Sequence, residues 1–236
     1  MTLYRYVKKA QSSKLKAQSS KLKILPCFLI IIGLGLFASV AFPIFSYQFL
    51  TISRFQPKIL SPLADSMSSS PIVLGEEIDL TKISNWFPES SIQMKPSAKI
   101  SYYTLSIPKL KISAATVKIS GEDLKESLVH YGGSALPGEF GNAVIFGHSV
   151  LPQFFNPKNY LTIFSTLPTL EKGDEVFVDF DGVEYLYRTY EMVEVSPTDV
   201  SVLEQRYDDA YLTLVTCVPP GTYWKRLAVR ARLEKI

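Results

Sequence analysis

Residues 175–195, EVFVDFDGVEYLYRTYEMVEV, contain a strong signal for a β-hairpin. Residues alternate in polarity over 175–180, and the Asp181-Gly182 pair that follows is a dipeptide favoured in two-residue hairpin turns. Residues 183–195 are then expected to form the returning strand. A hairpin of this kind indicates a β-rich domain rather than a βαβ fold.

Other short segments around this hairpin also have strand-like patterns. They are residues 103–110, 112–120, 142–148, 212–217 and 226–233. Two short helices are predicted, at 121–128 and 198–205. Many short strands separated by turn signals predict an all-β sandwich or a closed barrel over residues 100–236.

The N-terminal part of the chain has the composition of a membrane anchor. Residues 1–24 carry seven basic residues and no acidic one, and the apolar stretch at 25–50 is long enough to cross a bilayer. A cleaved signal peptide is the alternative, but the apolar stretch is longer than usual and no small-x-small cleavage site follows it. The basic flank predicts that residues 1–24 lie in the cytoplasm and that the rest of the chain lies outside.

The net charge of +3 comes from this basic tail. The chain has 25 basic residues, of which seven lie in this tail. The remaining 18 basic residues stand against 22 acidic residues, so the rest of the chain has a formal net charge of −4. Nucleic acid is therefore not an expected partner.

Residues 51–99 are rich in Pro and Ser and are predicted to form an extracellular stalk. One apolar island at 83–90, ISNWFPES, interrupts the stalk with the Trp86-Phe87 pair. Two interpretations remain open. The island packs on the neighbouring domain, or it forms a lid over a cleft.

Cys217 lies where the apolar strand LTLVTC meets the turn-rich segment VPPGTYWK. The only other cysteine is Cys27 in the apolar N-terminal segment, so Cys217 is expected to be a free thiol in an oxidising compartment. It is either an inert core residue or a nucleophile. A nucleophile would need a neighbouring base or cation to supply thiolate.

Three other residues complete a possible site. His148 ends the strand at 142–148, and Arg226 opens the strand nine residues after Cys217, so a hairpin return brings its guanidinium toward the thiol. His130 lies between the first predicted helix and the loop ALPGEFGN. Spacing alone leaves open whether these residues form a site or serve the structure.

The chain resembles the sortases, membrane-anchored cysteine transpeptidases of the bacterial surface. The resemblance covers about residues 100–236 and rests on three segments. They are TLVTC at 213–217 with Arg226 after it, HYGGSALPGEFGNAVIFGHS at 130–149, and FSTLPTLEKGDEVFVDFDGVEYLYR at 164–188.

This resemblance implies a closed eight-stranded β-barrel with short helices, preceded by one transmembrane helix. It implies Cys217 as nucleophile, His148 as general acid and base, and Arg226 as the group that stabilises the oxyanion, with no metal and no cofactor. Thr216 is a candidate to orient the substrate, or else packs in the core. His130 is expected to be structural or adjacent to the substrate.

The implied reaction is cleavage of an LPxTG-like sorting signal through a thioacyl-enzyme, followed by transfer of the acyl group to an amine. The amine belongs to a peptidoglycan precursor or to a pilin lysine. The expected location is the bacterial plasma membrane, with the catalytic domain outside.

The sortase subclass stays open. The island at 83–90 lacks the Asp-Pro-aromatic motif usual in the lid of pilus-building sortases, and the chain lacks the second apolar segment common in that group. Two other functions also remain possible: a thiol peptidase that hydrolyses the same signal, and a non-catalytic surface module with an inert Cys217.

Overall fold

The computed structural model describes residues 21–51, 79, 81–86 and 101–235 of the 236-residue chain. A helix, α1, spans Lys21–Ser46, and a π-helical turn, Tyr47–Thr51, continues it. The predicted tail at 1–24 and the predicted stalk at 51–99 lie mostly outside the described residues.

The described residues contain eight strands in the C-terminal domain. They are β1 (Tyr102–Ile107), β2 (Ile112–Ile119), β3 (Leu128–His130), β4 (Gly141–Phe146), β5 (Glu175–Phe180), β6 (Val183–Val195), β7 (Ala210–Val218) and β8 (Lys225–Leu233). Short 3-10 turns lie at Ile83–Asn85, Pro108–Leu110, Pro152–Phe154, Leu167–Thr169 and Val200–Leu203.

These strands close into a barrel in the order β1-β2-β3-β4-β7-β8-β6-β5, and β5 pairs with β1 to complete the ring. The β2–β3 and β4–β7 pairs are parallel, whereas the other neighbours are antiparallel. Closure leaves no long unpaired sheet edge, which removes a route to aggregation. The predicted closed eight-stranded barrel is confirmed.

The hairpin at 175–195 forms as its sequence predicts. Phe180 pairs with Val183 at the end of β5, and both turn residues have positive φ, 52° at Asp181 and 76° at Gly182. Positive φ at both central positions is the geometry that favours a Gly in the second position. The turn therefore fixes the register of the longest strand, β6.

The predicted helix at 121–128 is wrong. The Asp123 side chain accepts a hydrogen bond from the backbone N–H of Lys125, and the Leu124 N–H donates to the Thr81 carbonyl, so these donors are not available to a helix. The last residue of this segment, Leu128, begins β3, a short strand that the sequence did not predict. The predicted helix at 198–205 is reduced to the 3-10 turn Val200–Leu203.

Two apolar clusters lie on opposite faces of the barrel wall. In β7, Leu212 and Leu214 belong to the barrel interior, whereas Val215 and Cys217 belong to a second cluster on the outer face. This alternation follows from the two-residue period of a strand. Every residue of β7 is buried because both faces are covered, which explains why its sequence is almost continuously apolar.

The N-terminal helix is long and apolar enough to cross a membrane. Its candidate span is Pro26–Phe49, 24 residues with a mean hydropathy of 2.5, and its side chains are not buried against the protein over the most apolar part. From Phe42 onward the described residues form one compact unit with the barrel, and the preceding helix residues form another.

Candidate active site

Cys217 lies one residue before the end of β7, in the outer cluster. Its side chain is only 2% exposed. Burial raises the pKa of the Cys217 thiol to about 11, and the nearby charge of Arg226 opposes this shift. In this conformation the sulfur is therefore protonated at neutral pH, and a working nucleophile would need a more open environment or a base.

Arg226 is the register partner of Cys217 across the β7–β8 pair. Directly opposed residues in antiparallel strands have Cβ atoms about 5 Å apart, so the predicted return of Arg226 toward the thiol is present. Arg226 is 2% exposed, and its Nη1 donates to the Tyr223 carbonyl at 3.3 Å. Its buried Nε has no hydrogen-bond acceptor among the described residues. Burial lowers the pKa of Arg226, but a guanidinium stays charged at neutral pH.

His148 follows β4 by two residues, and its side chain is 8% exposed. Nδ1 donates to the Leu161 carbonyl at 2.9 Å, which leaves Nε2 as the acceptor of the neutral ring. Burial lowers the pKa of His148, while the Leu161 hydrogen bond and the charge of Asp79 oppose this shift and Lys125 adds to it. A neutral, oriented imidazole of this kind is suited to accept a proton.

Two hydrogen bonds join the His148 segment to the end of β7. The Thr216 hydroxyl donates to the Gly147 carbonyl at 2.8 Å, and the Ser149 hydroxyl donates to the Cys217 carbonyl at 2.8 Å. The backbone on both sides of His148 is thus fixed to the residues around the thiol. The Thr216 hydroxyl is fully buried and engaged in this contact, so it is not available to bind a substrate in this conformation.

His130 lies apart from this cluster. It is fully buried, and both ring nitrogens have partners: the Tyr103 hydroxyl lies 2.7 Å from Nδ1 and the Ser134 hydroxyl 3.1 Å from Nε2. Burial lowers the pKa of His130 to about 4, against the opposing contribution of Ser134. Its surroundings suit a structural role rather than contact with a substrate.

Trp86 covers the site from outside the barrel. Its side chain is 1% exposed, its ring lies 5.6 Å from that of Phe146, and the Arg226 Cζ lies 4.8 Å from its ring centre. The described part of the predicted 83–90 island therefore packs on the domain, at the position of the thiol and the guanidinium. Residues 87–90 lie outside the described residues.

The segment that carries Trp86 is held by backbone contacts to residues 122–125. Lys82 forms an isolated β-bridge with Asp123, and the Ile83 N–H donates to the Glu122 carbonyl at 3.1 Å. Such a short attachment orders the segment but offers few hydrogen bonds. We refer to residues 79 and 81–86 as the cover segment.

Tyr131 belongs to the same apolar cluster as Cys217, and its sequence context predicts no role for it. Its ring centre lies 6.1 Å from that of Phe146, in the same outer cluster as Trp86 and Cys217. Its hydroxyl is buried and has no hydrogen-bond partner among the described residues, and burial raises its pKa. Its position beside His130 in the sequence gave no indication of this environment.

The segment between β7 and β8 makes a close contact with Leu151. Gly221 has a positive φ of 83°, and a Cβ there would lie 2.9 Å from the Leu151 side chain. Only glycine fits this approach, which holds the loop against the segment that follows His148. Among the described residues, no group of three or more His, Cys, Asp or Glu side chains could hold a metal ion.

The sequence of this domain is similar to those of several known proteins. The sequence matches the Sortase domain family over residues 105–234. It is 27% identical over 145 residues to Sortase D of Bacillus subtilis, which covers 61% of this chain and 68% of that protein. It is 32% identical over 128 residues to Sortase A of Staphylococcus aureus, which covers 47% of this chain and 58% of that protein.

A solved structure of similar fold is sortase C-1 from Actinomyces oris. It aligns with a TM-score of 0.51 at 26% identity, over 58% of this chain and 77% of that chain. The family match over residues 105–234 contains Cys217, His148 and Arg226.

Proposed function

The chain belongs to the sortase family, and on this premise we propose that it is a membrane-anchored cysteine transpeptidase acting on an LPxTG-like sorting signal. The observation that carries the proposal is the pairing of Cys217 with Arg226 across β7 and β8. The residues on both sides of His148 are hydrogen-bonded to the end of β7 that carries Cys217. These three residue types supply a nucleophile, a proton carrier and an oxyanion donor.

In the first half of the reaction, the Cys217 sulfur attacks the carbonyl carbon of the Thr in the signal. The thiol proton passes to His148 and then to the departing amine as the C–N bond breaks. A thioester remains on Cys217. Arg226 donates to the oxyanion formed on the way, and its unpartnered Nε is a donor available for this task.

In the second half, an amine attacks the thioester and forms a new amide bond. His148 takes a proton from that amine and returns it to the departing sulfur. The same imidazole thus acts as base and acid in turn, which requires a group able to change its charge near neutral pH.

The cover segment acts as a lid in this proposal. The Trp86 ring lies on Arg226, where a bound peptide would have to reach the guanidinium, and the thiol beneath is protonated because it is buried. Displacement of Trp86 admits the substrate. It also uncovers Arg226. In this proposal the Arg226 Nε and the Tyr131 hydroxyl, which are buried without a hydrogen-bond partner among the described residues, then bind the substrate.

Thr216 and Ser149 serve as positioning residues. Their hydroxyls hold the backbone on either side of His148 against the end of β7, so that the imidazole keeps one orientation during both proton transfers. His130 has no catalytic role, since both its nitrogens are engaged away from the thiol.

The helix α1 anchors the enzyme in the bacterial plasma membrane as a single span. The basic residues that precede it favour a cytoplasmic N-terminus, with the barrel on the outer face. There the enzyme meets surface proteins that carry the sorting signal. The acceptor is an amine of a peptidoglycan precursor or a pilin lysine. A reaction that contains both amines distinguishes them, because the conjugate formed shows which amine the enzyme uses.

The test uses the full chain in detergent with an LPxTG-type peptide, with and without an added amine. We expect an amide conjugate in the presence of the amine, and an acyl-enzyme on Cys217 that a rapid quench traps. Cleavage at the same rate, with the free acid as the sole product in both reactions, would mean a thiol peptidase. A non-catalytic module would cleave the peptide neither as the original chain nor as the Trp86→Ala chain. In such a module, Cys217 would also be alkylated more slowly than free cysteine.

A further inference from the structure

A cavity of about 390 Å³ lies between the end of α1 and the end of the barrel that carries Cys217. Its lining is mainly apolar. Phe42 and Tyr47 line it on the helix side, and Pro152, Pro168 and Pro220 line it on the barrel side. All of these residues belong to the compact unit that begins at Phe42. The proposed reaction does not use this cavity.

One carboxylate ties the end of the helical region to the loop beside the thiol. The Tyr47 hydroxyl donates to Glu194 Oε1 at 2.6 Å, and Lys225 Nζ donates to Glu194 Oε2 at 3.0 Å. Tyr47 is 6% exposed, so its contact with the barrel is extensive. Trp224 directly precedes Lys225, so the loop that carries Trp224 ends at the residue that binds this carboxylate.

The length of the span fixes the depth of Tyr47. About 20 helical residues cross a hydrocarbon core of about 30 Å. Counted from Pro26, the span of 24 residues is longer than this, so its last few residues, from about Ser46 onward, reach the headgroup layer. Side chains that share the Glu194 carboxylate with Tyr47 lie at the same depth.

Three exposed aromatic residues lie on the two segments that contribute Pro152 and Pro220 to the cavity. Tyr223 and Trp224 are 50% and 60% exposed, and Phe154 on the adjoining segment is 64% exposed. The contact of Gly221 with Leu151 brings these two segments together. Tyr and Trp are the residues enriched where protein meets the headgroup layer, because their rings are apolar and their tips are polar.

We propose that the end of the barrel that carries Cys217 rests on the membrane, with Tyr223 and Trp224 at headgroup depth and a phospholipid acyl chain in the cavity. A peptide substrate is the rival occupant of these aromatic residues. The membrane is favoured because Lys225, which directly follows Trp224, shares the Glu194 carboxylate with Tyr47 at the end of the span. The inference rests on the membrane anchor of the proposed function but not on its reaction.

The chain has two tryptophans, which makes depth measurable by fluorescence. The full chain with Trp86→Phe keeps Trp224 as its single tryptophan. It is reconstituted in vesicles of phosphatidylcholine and phosphatidylglycerol, with and without bromine on the acyl chains near the headgroup. We expect strong quenching of Trp224 by the brominated lipid, and weaker quenching when the bromines lie near the chain ends.

A matched control places the single tryptophan at the opposite end of the barrel. The chain with Trp86→Phe, Trp224→Phe and Tyr207→Trp has it three residues before β7, at a position that is 73% exposed. We expect severalfold less quenching there. Equal quenching at both positions, or none at position 224, would overturn the proposal. Shielding of Trp224 from aqueous iodide by an LPxTG-type peptide but not by lipid would assign it to the substrate.

A phospholipid with a photoactivatable acyl chain tests the cavity itself. We expect cross-links to peptides that contain residues 152–169 or 219–224, and a severalfold loss of them in Thr169→Phe, which fills the cavity. Thr198→Phe, at an exposed site away from the cavity, is the control. Cross-links that Thr169→Phe leaves unchanged would overturn the cavity assignment. Vesicle flotation distinguishes failure of the proposed anchor from failure of this inference. A chain that does not float with the vesicles has no anchor, whereas a chain that floats but shows no quenching of Trp224 refutes this inference alone.

Discussion

The guanidinium of Arg226 stacks on the indole of Trp86, with Cζ 4.8 Å from the ring centre, while Arg226 is also the register partner of Cys217. One side chain of the cover segment therefore occupies the position beside the proposed nucleophile. In the proposed reaction, a peptide reaches Arg226 only after this contact breaks. On that proposal, the strength of the contact sets the fraction of molecules that can bind substrate.

Trp86→Ala is expected to activate the enzyme. A buried cation–π contact contributes about 1–2 kcal/mol, so its loss should raise the open fraction and lower KM for an LPxTG-type peptide by about tenfold. Alkylation of Cys217 should accelerate by a similar factor, because the thiol is 2% exposed with Trp86 in place. Steady-state kinetics and the rate of iodoacetamide labelling measure the two effects.

Phe140→Ala is the control for this change, since Phe140 is 62% exposed and precedes β4. It should leave both rates at their original values. A Trp86→Ala chain that folds but shows unchanged KM and unchanged labelling would mean that the cover segment does not limit access.

Cys217→Ala and His148→Ala should each abolish transfer, because the first removes the nucleophile and the second removes the proton carrier. The chain offers a matched control in Cys27→Ala, which removes the cysteine of the membrane span and should retain full activity. Mass spectrometry should find the trapped acyl group on Cys217 alone. Substantial transfer by the Cys217→Ala chain would exclude the proposed chemistry.

Arg226→Lys should reduce kcat by about a hundredfold, in the range found when one oxyanion donor is lost. A lysine ammonium has all its donors on one nitrogen and cannot reproduce the planar guanidinium, in which Nη1 binds the Tyr223 carbonyl while Nε remains a separate donor for the oxyanion. Arg230→Lys is the control, because Arg230 lies on β8 like Arg226 but pairs with Glu191 of β6. A kcat near that of the original chain would argue against stabilisation by the guanidinium.

Tyr131→Phe should raise KM for the peptide by about threefold to tenfold, since it removes a hydrogen bond that forms only with substrate. The free protein should unfold at the same or a slightly higher urea concentration, because the hydroxyl is buried without a partner among the described residues. Tyr190→Phe, outside the cluster around Cys217, should change neither quantity. A fall in stability without a change in KM would make Tyr131 a purely structural residue.

Much of the barrel is predictable because its strands obey local rules. The Asp181-Gly182 turn fixes the β5–β6 hairpin, and the apolar runs at 142–148 and 212–217 mark the two strands that are buried on both faces. The β7–β8 return that brings Arg226 opposite Cys217 also follows from a short connection between two adjacent strands.

The remaining features depend on contacts distant in sequence. β3 has three residues, too few for a periodic signal, and exists because it pairs with β2 and β4. The predicted helix at 121–128 does not form because Thr81 and Lys82 use its backbone groups from the cover segment. The packing of the Tyr131 ring likewise depends on Phe146 in β4, and no local pattern in the sequence predicts this contact.

His130 predicts how stability depends on pH. Its pKa is about 4 in the folded chain and about 6.5 when unfolded, so the unfolded state binds more protons between these values. The contribution of His130 to the free energy of unfolding should therefore be fully present above about pH 6.5. It should fall by about 3 kcal/mol as the pH drops to about 4, and change no further below that pH.

Urea unfolding measured between pH 4 and 7.5 gives the dependence of this free energy on pH. The His130→Gln chain should be less stable, but its free energy of unfolding should depend much less on pH. The pKa of His148 is lowered in the same direction, but the His148→Ala chain should keep most of the pH dependence. An unchanged slope in His130→Gln would show that the titrating group lies elsewhere.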